Sequence, residues 1–158
     1  MAARDGLNYS QFTRMAEFAN YDPKGYGGGF SRKAYGDVGA KAKDAYMVAD
    51  EEHEQMTPKP VTADHLMRFA EDKSGPLHEQ NAYMGAWVPS NESRGTLDVS
   101  RAYQKSDPSS LGRAKVAGWS HHQKAIGEVD AEGDYMGDVK PLGFTPQIKG
   151  AFSALFKH

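Results

Sequence analysis

Between Met84 and Val129 the chain reads strand, strand, helix, strand, and no other stretch is patterned as a compact unit. Tyr83-Met84-Gly85-Ala86-Trp87-Val88 is rich in aromatic and apolar residues, as a strand requires. Pro89 to Gly95 is a polar loop of hairpin type. Thr96-Leu97-Asp98-Val99-Ser100 alternates apolar and polar residues, with Leu97 and Val99 on one face and Asp98 and Ser100 on the other. Asp107-Pro108 opens a helix that runs to about Gln123. Leu111, Ala114, Gly118, His122 and Ala125 share one of its faces. Ala125 to Val129 supplies a third strand, and a crossover of this length suits a right-handed βαβ link. Asp130 to Asp134 then turns, and Tyr135 to Val139 returns as an edge strand.

This pattern predicts an α+β or small α/β fold. A ββαβ unit over about residues 83–139 is flanked by short N-terminal helices and a C-terminal amphipathic helix. Three regions follow: a helical region with a glycine-rich loop (1–80), the compact unit (81–140) and a docking helix (141–158).

The flanks are thinner. Asn8 to Asn20 reads as a helix, with Tyr9, Phe12, Ala16 and Ala19 on one face and Asn20 as its terminator. Three successive glycines from Gly27 argue for an irregular loop, from which Tyr26 and Phe30 can dock on an apolar surface. That loop lacks the Gly-Lys-Ser/Thr ending of a phosphate cradle. From Ser31, a good N-cap, the spacing of Tyr35, Val38, Ala42, Ala45 and Ala49 predicts a second helix to about Glu54. It would end in the acidic run Asp50 to Glu54, against the helix dipole. Thr62 caps a third helix carrying Leu66, Met67, Phe69 and Ala70, and Ser74-Gly75-Pro76 ends it. In the tail, Thr145-Pro146 opens a helix whose Ile148, Phe152, Leu155 and Phe156 form one stripe.

Only 24 of the 158 residues are Leu, Ile, Val or Phe. So small a supply of strong core formers fits a chain that orders part of its surface against a partner. The chain has no cysteine, which removes disulfides, thiolate chemistry and Cys-based zinc sites. Charged residues interrupt the apolar runs of the first thirty residues, so no secretory leader is expected there. No run is apolar enough for a bilayer span. A cytoplasmic protein is expected, in a host cytoplasm or a virion. The net charge of −2 and the scattering of 19 lysines and arginines among acids make nucleic acid an improbable partner.

Chemical motifs are sparse. His121 and His122 are adjacent, so on a helix they point about 100° apart and cannot easily share a metal. His53-Glu54-Gln55 and His78-Glu79-Gln80 lack the second histidine of a zincin helix. Asp130, Glu132 and Asp134 begin like a calcium loop, but Tyr135 and Pro141 stand where it needs Gly and Glu. They read better as an acidic turn. No serine-nucleophile elbow is present. No catalytic residue, metal ligand or cofactor is therefore named.

Two readings follow. In the first, the chain is a non-enzymatic interaction or assembly component that binds another protein, itself or a different one. Tyr26, Phe30, Ile148, Phe152, Leu155 and Phe156 make the contacts. In the second, it is a small ligand-binding domain or hydrolase with a site at the strand ends: Trp87, Asp98, Ser100, Arg101 and His122. The segments Gly-Ala-Trp (85–87), Thr-Leu-Asp-Val-Ser (96–100) and Gln-Lys-Ala-Ile (123–126) resemble short modules in uncharacterised phage and mobile-element proteins. The resemblance covers less than a third of the chain and carries no catalytic residue. It implies a phage-encoded origin, as a virion structural protein or a modulator of a host protein.

Overall fold

The computed structural model describes residues 8–139 other than 26 and 121–125. The expected tail helix, the contact residue Tyr26 and both His121 and His122 therefore lie outside the described residues. Among the described residues ten elements follow one another. They are α1 (Tyr9–Asn20), β1 (Gly27–Arg32), β2 (Ala45–Pro58), α2 (Ala63–Asp72), α3 (Ser74–Leu77), β3 (Ala82–Pro89), β4 (Arg94–Gln104), α4 (Ser110–Ser120), β5 (Ile126–Val129) and β6 (Tyr135–Val139). The fold is mixed α+β. Its six strands form one sheet in the order β1-β3-β4-β2-β5-β6, with every neighbouring pair antiparallel.

The β3–β4 hairpin is the one expected, with Trp87 opposite Thr96 and Ala82 opposite Arg101. The contiguous ββαβ unit is not formed. β4 and β5 run in the same direction and are joined through α4, but both pair with β2, which lies between them. A strand from the N-terminal half thus splits the crossover.

That strand replaces the second helix expected over Ser31 to Glu54. Ser31 belongs to β1, Gly36 and Gly39 take left-handed turns at φ 78° and 87°, and β2 starts at Ala45. The alanines spaced as a helical stripe instead alternate across a sheet: Ala45, Met47 and Ala49 on one face, Tyr46, Val48 and Asp50 on the other. The acidic run is an irregularity in β2. Asp50 pairs with Val99 and Gln55 with Leu97, so residues 51–54 bulge opposite Asp98 alone.

The glycine run is likewise a strand. It is ordered by what approaches it on both faces. A Cβ on Gly28 would meet the carbonyl oxygens of Ala19 and, at 2.6 Å, Tyr21 at the end of α1. A Cβ on Gly27 would sit 3.1 Å from the indole of Trp87. Only glycine permits both contacts.

The larger described helices pack on one face. Phe12, Met15, Ala16 and Ala19 of α1 and Leu66, Met67, Phe69 and Ala70 of α2 cover Phe30, Met84, Ala86, Leu97 and Val99. Tyr9 of the expected stripe is exposed instead. Ala114 of α4 packs on Val48 and Ile126 farther along the same face. Asn8 caps α1, and Thr62 with His65 forms a capping box on α2. Asn20, expected to terminate α1 by a left-handed turn, is helical. Its side chain donates to the Val61 carbonyl at 2.7 Å and accepts from the Val61 amide at 2.9 Å. Asn20→Ala should therefore destabilise the protein by about 2 kcal/mol in urea titration, whereas a surface change such as Thr13→Ala should stay within about 0.5 kcal/mol of the unmodified protein. Among the described residues no helix is long and apolar enough to cross a membrane.

Candidate functional site

The second, inner face of the sheet is covered by no described helix. Ala45, Met47 and Ala49 of β2, Ala102 of β4 and Val129 of β5 cluster there with Ala42, and Tyr83 and Trp87 of β3 pack on them. Asp98 and Ser100 point to this face by strand alternation, opposite to Leu97 and Val99. They lie opposite Leu97 and Val99 as the alternation predicts, and they are 1% and 0% exposed.

Asp98 is held unusually. Its Oδ1 accepts the Ser100 hydroxyl at 2.9 Å, and its buried Oδ2 has no partner. On β3 it faces Gly85, and beyond Gly85 lies Ser31 of β1. A Cβ on Gly85 would collide with the Asp98 carboxyl, whose Cγ is 3.0 Å away, so the carboxyl leans across β3 towards β1. The Ser31 hydroxyl is also buried and without a partner. On its other side Asp98 faces the 51–54 bulge. Burial first of all, with smaller additions from Glu54 and Asp50, pushes its carboxyl up to about 7 against the lowering by the Ser100 hydrogen bond. Glu54 is raised too, by burial and by Glu51.

Three of the five expected ligand-site residues, Trp87, Asp98 and Ser100, share this face. Arg101 does not. By alternation it points to the helix-covered face, where it bonds Asp50 at 3.1 Å and Glu79 at 3.0 Å. The bond from Arg101 holds the Glu79 carboxyl below its usual range. Ser31 and Gly85 were missed as site residues. Ser31 was assigned to a helix cap, and a glycine inside a strand was the available signal of close approach.

A second feature lies at the sheet edge. A groove of about 310 Å³ follows β1, lined by Gly27 to Arg32, by Phe18, Tyr21 and Lys24, and across from them by Ala42, Val129 and Asp134. Residues from both ends of the strand order meet there, so the sheet curls. Arg32 bridges to Lys41, but among the described residues no strand pairs with the outer edge of Gly27 to Ser31. Phe30, expected as a contact residue, lines this groove while its ring is buried in the core. Lys24, Arg32 and Lys41 lie along it, with Lys41 paired to Asp134 at 3.3 Å.

Among the described residues no three His, Cys, Asp or Glu side chains converge as metal ligands. His78 is stacked on Tyr35, with ring centroids 3.8 Å apart. The acidic residues at 130–134 form a turn in which the Asp130 carboxylate accepts the amides of Glu132 and Asp134, each at 2.9 Å. No protein-family model matches the chain, and no curated protein or solved structure shows significant similarity to it.

Proposed function

We propose that the protein is a non-enzymatic binding module that takes up an extended segment of a partner protein along β1. The observation that carries this reading is the groove beside the unpaired edge of Gly27 to Ser31. An edge strand presents alternate amides and carbonyls away from its neighbour, ready to pair with an added strand. Among the described lining residues the cations Lys24, Arg32 and Lys41 outnumber the acid Asp134, which favours an acidic segment. Addition of one strand between β1 and the 130–134 turn would extend the curled sheet towards closure. A virion assembly component or a modulator of a host protein would use such an edge.

Selection of peptides from a display library against the full-length protein tests this. Binders should be extended, enriched in Asp and Glu, and weakened at least tenfold by Lys24→Glu. Binders that are helical, or that ignore Lys24→Glu and any other change along β1, would contradict it.

A further inference from the structure

We infer that the inner row Asp98–Gly85–Ser31 is a binding site for a small primary ammonium group, held between the Asp98 carboxylate and the Ser31 hydroxyl. The inference is independent of strand addition at β1.

Two buried oxygens on this row have no partner, the Oδ2 of Asp98 and the Oγ of Ser31. They project from the same face of strands separated only by β3. Neighbouring strands are about 4.8 Å apart, so the two Cα atoms stand roughly 10 Å from each other. Both side chains reach inward over that span. The lean of the carboxyl over Gly85 shortens the gap between the two oxygens. An ammonium has three donors and no acceptor, so it can satisfy both oxygens at once.

The surroundings favour a cation over a neutral donor. A buried carboxylate is costly without a counter-charge, and no lysine or arginine of the described chain pairs with Asp98. The nearest in sequence, Arg101, is committed to Asp50 and Glu79 on the opposite face. Glu54 and Asp50 add negative potential around Asp98. Tyr83 and Trp87 stand two residues either side of Gly85 on the same face, and aromatic rings attract alkylammonium groups. The β1 groove, whose wall includes Ser31, borders the row at its β1 end. Both oxygens are buried, so the ligand is kept to a short alkyl chain.

The full-length protein is titrated at pH 8 with ethylammonium chloride, with potassium chloride at matched ionic strength and ethanol as the neutral isostere. The 13C shift of the Asp98 carboxyl is followed by NMR. A ligand with three heavy atoms binds no tighter than about millimolar, so half-saturation in the millimolar range is expected. Ethanol and potassium should give no saturable shift. Indole fluorescence follows the same titration in the variants. Asp98→Asn should weaken ethylammonium at least tenfold, and Ser31→Ala about threefold or more. A carboxyl shift no larger than potassium produces would overturn the proposal, leaving water as the bridge. So would equal binding of ethanol, or binding that survives Asp98→Asn. The comparison of the three solutes on the unmodified protein decides the matter even if a variant fails to fold.

Discussion

Adding one methyl group at position 28 is expected to destabilise the protein by roughly 3 kcal/mol or more, among the largest effects of any single-atom change. In Gly28→Ala the new Cβ meets backbone, the carbonyl oxygens of Ala19 and Tyr21. Backbone cannot rotate away as a side-chain tip can. The end of α1 is also pinned, because Asn20 grips both backbone groups of Val61. Relief would require α1 to separate from β1, exposing the cluster around Phe12 and Phe30. Gly112→Ala is the control. It sits in α4 with nothing near its Cβ position, so the same methyl should stabilise by about 0.5–1 kcal/mol through helix propensity. Urea titration of both variants measures the contrast. A cost at Gly28 no greater than about 1 kcal/mol would mean that α1 does not lie against β1 as described.

The second large effect concerns pH. Asp98 has a folded pKa of about 7 against an ordinary 3.8, owing first to burial. Between those values the native state binds more protons than the unfolded chain. Stability therefore falls as pH rises through the window and levels off above about 7. Asp98→Asn removes this dependence while keeping an oxygen for the Ser100 hydroxyl. The stability of Asp98→Asn relative to the unmodified protein should thus improve between pH 4 and pH 8, by on the order of 4 kcal/mol. Glu54, raised, and Glu79, lowered, contribute in opposite senses and are present in both proteins. Parallel profiles for the two proteins would show that Asp98 ionises normally and is not enclosed.

The sequence made the local pieces legible where one periodicity dominated. The α2 stripe of Leu66, Met67, Phe69 and Ala70 is buried as its spacing predicts, and the β3–β4 hairpin stands at its expected place. It failed where small residues satisfy two periods at once. Ala42, Ala45 and Ala49 fit a helical face and also lie on one face of the sheet cluster, and only the partners across β4 and β5 decide between these. Glycines at 27–29 signal flexibility when read alone. They become strand because α1 and Trp87 need the space, which is a tertiary fact. The alternation of Leu97, Asp98, Val99 and Ser100 was read correctly, but burial of the polar face depends on the curl of the sheet. The same long-range pairing brought β2 into the middle of the expected crossover. Of the candidate site, Trp87, Asp98 and Ser100 could be found from strand position. Ser31 could not, because its row is assembled from strands 54 and 67 positions apart along the chain at Ser31, Gly85 and Asp98.

Amide hydrogen exchange across Gly27 to Ser31, in the free full-length protein and with a selected acidic peptide, tests the central proposal most directly. Alternate β1 amides should exchange freely in the free protein and slow at least a hundredfold in the complex, while those bonded to β3 stay protected in both. Outer-edge amides already protected without peptide, or unchanged when it binds, would contradict strand addition at β1.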